Sequence, residues 1–116
     1  MKKILSMLAM LLFVHAPVYA GPVWCYGTIT QVLTYADGTV SIFPTWRNDW
    51  INVCNLNNTV KGISPMTCVA WYAVIKSAAS KQPLQTTVMF YQDMAACEVV
   101  PTYANSPAPG YLMLTQ

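Results

Sequence analysis

Residues 64–80 read SPMTCVAWYAVIKSAAS and carry the clearest helix signal of the chain. The Ser64-Pro65 pair favours a helix start, because the serine hydroxyl can accept a free N–H of the first turn and proline suits the first helical position. An apolar stripe then recurs at helical spacing, formed by Cys68, Trp71, Tyr72, Ile75 and Ala79. The sequence therefore predicts one helix that begins at Ser64-Pro65, ends before Pro83 and packs this stripe into a core.

Strand signals lie on both sides of this helix. Asp37-Gly38 separates two β-prone runs and predicts a hairpin, because these residues tolerate the positive φ that a tight turn needs. The predicted strands are residues 26–33, 39–43, 50–54, 84–91 and 111–114, with a polar loop at 55–62 and a proline-rich loop at 101–109. Strands grouped around a single central helix predict an α+β fold, built either as a small antiparallel sheet or as an OB-like, partly open β-barrel.

The N-terminal stretch has the order of a secretory signal peptide. Two lysines follow the first methionine, residues 4–14 are almost wholly apolar, and small or neutral residues lead up to Ala20. The apolar run is about half of the ~20 residues that span a bilayer, so a retained anchor is the lesser alternative. We predict a signal peptide at residues 1–20, or cleavage after Ala16, and a single exported domain at 21–116, periplasmic or secreted.

Loss of that segment would change the charge of the chain. The full chain has a formal charge of +2, and the two N-terminal lysines and the only histidine, His15, lie before residue 20. Afterwards the basic residues are Arg47, Lys61, Lys76 and Lys81, and the acidic ones are Asp37, Asp49, Asp93 and Glu98. A chain with balanced charges lacks the positive surface that phosphate backbones require, so we expect no nucleic-acid partner.

Four cysteines follow residue 20, and an even set in an exported chain predicts two disulfides. Three pairings are open on sequence alone. We favour Cys54–Cys68, which would tie a loop to the helix start, and Cys25–Cys97, which would tie the N-terminal region to a late segment. A four-cysteine zinc site is disfavoured because the chain has no CxxC pair and no histidine after residue 20.

Catalytic groups are scarce. Nucleophilic triads need an imidazole base, and none follows residue 20. Two carboxylates could still support glycoside hydrolysis, but Asp37 is explained by its turn, and Asp93 and Glu98 flank a cysteine in a predicted loop. No phosphate-binding glycine loop is present either. We therefore expect a protein that is not an enzyme and that needs no metal or other cofactor.

Aromatic residues favour binding instead. Two indoles bracket three polar side chains in the segment Trp46, Arg47, Asn48, Asp49 and Trp50. Flat indole faces can stack on sugars while the polar groups bond hydroxyls, so this segment is the predicted ligand-binding site. The alternative is that Trp46 or Trp50 fills the small core. Trp71 is predicted to pack in the core, and Trp24 is predicted to cover a disulfide.

The segment Trp46–Trp50, with Cys54-Asn55-Leu56, Gly62-Ile63-Ser64, Cys68 and Trp71, resembles a group of small exported bacterial proteins of unassigned function. Pro101-Thr102-Tyr103 and Pro107–Tyr111 fit the same group. More distantly, the order of elements and the paired cysteines are similar to the B subunits of AB5 toxins, which are ring-forming, glycan-binding OB-fold domains. That second resemblance implies the barrel alternative and a homo-oligomer, by analogy of size, export and element order.

These observations lead to two functional hypotheses. The first is a non-enzymatic exported binding module that recognises a glycan and forms an oligomer. The second is a structural or inhibitory protein that acts by contact with another exported protein. The apolar segment 111–114 bears on both, because it is predicted to form either a central strand or an edge strand that pairs with another subunit.

Overall fold

The computed structural model describes residues 21–80 and 83–115. The strands are β1 (Val23–Gly27), β2 (Ile29–Thr34), β3 (Thr39–Pro44), β4 (Ile51–Asn55), β5 (Gln85–Phe90) and β6 (Tyr111–Thr115), with the helix α1 (Pro65–Ala78) between β4 and β5 and a 3-10 turn at Cys97–Val99. The predicted signal peptide lies outside the described residues.

The strands form two antiparallel sheets of three strands each, in the orders β1-β5-β6 and β2-β3-β4. The predicted α+β class is confirmed. Of the two predicted architectures, the described residues adopt small open sheets and do not close into an OB-like barrel. The closing segment, β6, is an edge strand because it pairs with β5 alone.

The single strand predicted over residues 26–33 is wrong, because the chain forms two strands that belong to different sheets. The break lies at Gly27 and Thr28, where Thr45 approaches. The N–H of Thr28 donates to the Thr45 hydroxyl at 3.0 Å, and the N–H of Thr45 donates to the Thr28 carbonyl at 2.9 Å. A Cβ at position 27 would lie 2.3 Å from the Thr45 hydroxyl, so glycine permits the close approach.

The predicted Asp37-Gly38 hairpin is confirmed between β2 and β3. Gly38 has φ of +94°, and a carboxylate oxygen of Asp37 accepts the N–H of Thr39 at 2.9 Å. The backbone N–H groups of Tyr35 and Gly38 close the turn. The turn therefore sets the register in which β2 pairs with β3.

Helix α1 begins as predicted. The hydroxyl of Ser64 accepts the N–H of Thr67 at 3.2 Å, and Pro65 is the first helical residue. Cys68, Ile75 and Ala78 are buried, while Trp71 and Tyr72 pack against the core in part. The predicted stripe thus faces the core, and the helix ends at Ala78, five residues before Pro83.

The core lies between α1 and the two sheets. In strand β5, residues 86–90 are buried without interruption, and Val88 and Phe90 belong to the core. Strand β5 lies in the middle of its sheet, where β1 and β6 pair with its two edges and flank its side chains on each face. The largest fully buried apolar side chains are those of Phe90, Ile29, Ile42, Ile51, Ile75, Val40, Val88 and Val100.

Both favoured disulfides are present. Cys54–Cys68 joins β4 to the first turn of α1, and Cys25–Cys97 joins β1 to the 3-10 turn. The Cα atoms of the two pairs lie 5.4 and 5.6 Å apart, as disulfides require. The second bridge fixes the start of the long segment that leads from the 3-10 turn back to β6.

Candidate functional site

The predicted segment 46–50 forms the turn between β3 and β4, and its first indole is in the core. Trp46 is only 9% exposed and meets the ring of Phe90 edge-on, with centroids 6.0 Å apart. Trp50 is half-buried and meets Phe43 in the same manner at 5.4 Å. Trp46 is therefore unable to stack on a ligand, and the two indoles do not form a shared surface.

The polar residues of this turn mainly hold the backbone. Arg47 donates from Nε to the carbonyl of Val100 at 2.8 Å, and Asp49 accepts the N–H of Trp50 at 2.7 Å. Asn48 is exposed and has φ of +56°. The ligand-binding role of residues 46–50 stays a prediction, without the paired tryptophans on which it was based.

Exposed aromatic side chains instead gather on the outer face of the sheet β1-β5-β6. Trp24 lies opposite Met89, which lies opposite Tyr111, so these three residues form one row across the sheet. The indole Nε1 of Trp24 donates to the Tyr111 hydroxyl at 2.9 Å. Trp24 and Tyr111 flank Met89 on its two sides, and Met89 is buried between them.

Two further tyrosines extend this row. Tyr26 lies two residues after Trp24 on β1, hence on the same face of the sheet, and is 63% exposed. Tyr91 follows β5 and is 67% exposed, and its ring packs over Gly110. A Cβ at position 110 would lie 2.6 Å from the Tyr91 ring, so only glycine leaves room for it. We call Trp24, Tyr26, Tyr91 and Tyr111 the aromatic face.

The aromatic face is uncharged. Strands β1, β5 and β6 contain no acidic or basic residue. Trp24 is itself 48% exposed, and its hydrogen bond to Tyr111 holds the indole in place. The face therefore offers a fixed, flat apolar surface with hydroxyl groups at its margin.

The prediction that Trp24 covers a disulfide is wrong. Successive residues of a strand point to opposite faces, so Trp24 faces outward while Cys25 faces the core. The same alternation was visible in the sequence, since residues 23–27 read VWCYG. The motif at residues 46–50 drew attention because its aromatic residues are close in sequence, whereas those of the aromatic face come from three separate segments.

A second feature is a cavity of about 190 Å³ beside β4. It lies between that strand, the turn at residues 60–63 and residues 104–108. Its lining residues are Thr39, Asn52, Val53, Cys54, Asn55, Val60, Lys61, Ala104, Ser106 and Ala108. We call it the Lys61 cavity.

Several of the polar groups in this cavity are already paired within the protein. Asn55 donates to the Asp37 carbonyl and accepts two backbone N–H groups, from Asn57 and Asn58. The hydroxyl of Ser106 accepts the N–H of Asn52 at 3.2 Å. By contrast, the side-chain oxygen of Asn52 is buried and has no hydrogen-bond partner in the described part of the chain.

Residues 21–80 and 83–115 contain no group of three or more side chains suited to hold a metal ion, and no helix among them is long and apolar enough to span a membrane. The pKa of Asp37 is lowered because its carboxylate accepts the backbone N–H of Thr39. Asp37 lies in the hairpin turn, away from both features described above.

Comparison with known proteins adds no relative on which function could be based. The resemblances to small exported bacterial proteins and to AB5 toxin B subunits therefore stay predictions. No protein-family model, curated protein or solved structure matches this chain.

Proposed function

We propose that the protein is a non-enzymatic exported binding module that recognises a glycan on its aromatic face. The observation that carries the proposal is the row Trp24–Met89–Tyr111, in which a hydrogen bond fixes an exposed indole on an uncharged sheet surface. Exposed apolar surface of this kind marks interaction sites, and indole faces suit the apolar faces of sugar rings. Tyrosine hydroxyls at its margin can bond sugar hydroxyls.

Side chains of the aromatic face are held in place before any ligand binds. Such a surface can bind a ligand that makes few contacts. A preorganised site avoids the entropy cost of ordering side chains, which is about 0.5–1.5 kcal/mol for each flexible group. Trp24 has its polar atom bonded to Tyr111, and Tyr91 packs over Gly110. Export is supported by the signal-like N-terminal sequence and by the two disulfides.

Pairing of β6 with a second copy of the chain completes the proposal. Strand β6 reads YLMLT, lies at the sheet edge and contains no charge and no proline, which are the usual protections of an exposed edge. Antiparallel pairing of two β6 strands would join two sheets and place two aromatic faces side by side. Met113, which is 44% exposed, would lie at that junction. A monomeric mass in solution at micromolar concentration would refute the proposed pairing of β6.

A glycan array with the purified protein tests the glycan proposal, with Trp24→Ala as the variant and Tyr35→Ala as the control. Both residues are exposed aromatics, but Tyr35 lies in the β2–β3 hairpin. Truncating an aromatic residue at the centre of an interface costs about 2 kcal/mol or more, so the Trp24 variant should lose about 30-fold in affinity for any bound glycan. The Tyr35 variant should bind as the parent does.

No glycan bound by the parent protein, or equal binding by the Trp24 variant, would refute the glycan proposal. Capture of an exported protein that depends on Trp24 would instead support the second hypothesis, contact with another exported protein. The two outcomes are separable because the array contains no protein ligand.

A further inference from the structure

The Lys61 cavity has the size of a ligand site for one small molecule. Its volume is about 190 Å³. An apolar protein cavity of about 150 Å³ is known to hold a benzene molecule, so this one can accept a six-membered ring with one substituent. It lies beside β4 of the sheet β2-β3-β4, whereas the aromatic face belongs to the other sheet. A ligand in this cavity is therefore independent of the proposed glycan site.

Lys61 places a positive charge at this cavity. It donates from Nζ to the carbonyl of Ala104 at 2.8 Å and to that of Ser106. An ammonium group has three N–H donors, so one remains. No carboxylate pairs with Lys61 within residues 21–80 and 83–115, and none lines the cavity. The remaining donor is therefore suited to an anionic oxygen.

The backbone around the cavity is strained where it positions this lysine. Lys61 and Gly62 have φ of +50° and +81° in the two-residue turn between Val60 and Ile63. Positive φ is costly for a lysine, and such strain is concentrated at ligand-binding sites. Tyr103, which precedes the opposite wall, has φ of +51°. Two of the three non-glycine residues with positive φ in the described chain therefore adjoin this cavity.

Asn52 supplies the second polar group. Its Oδ1 is buried without a partner, which costs stability, and its amide nitrogen makes no hydrogen bond to any described residue. An apolar residue would avoid that cost. The unpartnered oxygen is an acceptor, to which a carboxylate offers no donor, so what the amide brings to an anion in the cavity is its two N–H groups, beside the free donor of Lys61.

Apart from Thr39, Asn55 and Ser106, whose polar groups are already paired within the protein, the remaining wall is apolar. Val53, Val60, Ala104 and Ala108 contribute small aliphatic surfaces, and Cys54 is closed in its disulfide with Cys68. Such a wall offers no hydrogen bonds to the several hydroxyls of a sugar. It suits the apolar body of a ligand whose single polar end points toward Lys61 and Asn52.

We propose that the Lys61 cavity binds a small monocarboxylic acid with an apolar body. The carboxylate accepts hydrogen bonds from the free N–H of Lys61 and from the Asn52 amide, while the body packs against Val53, Val60 and Ala108. This combination of one charged contact and an apolar wall is the usual composition of a small-molecule site. No bond is made or broken.

Titration of the ¹⁵N-labelled protein with benzoate, followed by amide chemical shifts, tests the proposal. The expected result is a saturable shift at residues 52–55, 60–62 and 104–108. Benzyl alcohol has the same ring and no charge, and it should bind at least tenfold more weakly because the charge-assisted hydrogen bonds are lost. No saturable shift with benzoate, or equal affinity for both compounds, would overturn the proposal.

Lys61→Met keeps the apolar stem and removes the charge, and Lys76→Met is its matched control on the exposed side of α1. Benzoate affinity should fall at least tenfold in the first variant and stay unchanged in the second. Equal loss in both variants, or retained affinity in Lys61→Met, would contradict the role of Lys61. If Lys61→Met fails to fold, the comparison of benzoate with benzyl alcohol on the parent protein still decides the question.

Discussion

Replacement of Asn52 by leucine should stabilise the protein. Asn52 lies in β4 opposite Ser41, and its buried Oδ1 has no partner in the described chain. A buried polar atom without a hydrogen bond costs about 1–3 kcal/mol, and an apolar side chain of similar shape removes that cost. The backbone N–H of residue 52 still donates to the Ser106 hydroxyl in the variant, so the contact between β4 and residue 106 is kept.

We expect a gain of about 1 kcal/mol in the free energy of unfolding, at the lower end of that range because the amide nitrogen loses its solvation. For a domain of this size, 1 kcal/mol corresponds to a rise of about 4–8 °C in Tm. Urea unfolding followed by far-ultraviolet circular dichroism measures the free energy, and calorimetry gives Tm. Both should be recorded with the disulfides oxidised.

Two further variants separate the buried oxygen from other effects of the substitution. Asn58→Leu adds a leucine at an exposed site and should change stability by less than about 0.5 kcal/mol. Asn52→Ala removes the amide, and alanine is also a poor strand former, so it should be close to neutral. A loss above 1 kcal/mol in both Asn52 variants would refute the reasoning, because it would mean that the oxygen is hydrogen-bonded in solution. Benzoate binding should be lost in the leucine variant even as stability rises.

Two other predictions concern the disulfides and the hairpin turn. Cys25–Cys97 spans 72 residues and Cys54–Cys68 spans 14, so the entropy of loop closure predicts stabilisation by about 4.4 and 3 kcal/mol respectively. Replacing the first pair by alanine should therefore lower the free energy of unfolding in urea by more than replacing the second pair. The reverse order would contradict this prediction. Because the pKa of Asp37 is lowered in the folded state, its carboxylate stabilises the protein above the unfolded pKa, near 3.8, and this stabilisation is lost as pH falls through the folded pKa. Asp37→Asn should therefore flatten the acid limb of the curve of stability against pH. An NMR titration that puts the pKa of Asp37 at or above 3.8 would disprove this reasoning.

The parts of the fold that depend on local chemistry could be predicted from the sequence. Asp37-Gly38 determines its turn because few other pairs tolerate that backbone, and Ser64-Pro65 determines a helix start for the same kind of reason. The break at Gly27 could not be predicted. It depends on Thr45, which lies 17 residues after Thr28 and comes close through the pairing of β3 with β2.

The candidate binding surfaces were harder to predict, because each one is assembled from distant segments. Trp24 and Tyr111 are 87 residues apart and meet only because β5 lies between their strands. Lys61 reaches carbonyls 43 and 45 residues further along the chain. Aromatic residues that are close in sequence, such as Trp46 and Trp50, were easy to notice, but neighbouring positions do not determine which side chains remain exposed.

The turn at residues 46–50 and both candidate sites depend on the same segment, residues 97–111. Cys97 anchors its start to β1, and Arg47 then holds the carbonyl of Val100. The carbonyl of Trp50 accepts the N–H of Tyr103 at 3.0 Å, immediately before the residues that line the Lys61 cavity. The segment ends at Gly110, whose lack of a side chain admits the ring of Tyr91 beside Tyr111. Arg47, one of the polar residues that suggested a ligand site, therefore has a structural role, since it holds the segment that forms one wall of the cavity and leads the chain to the aromatic face.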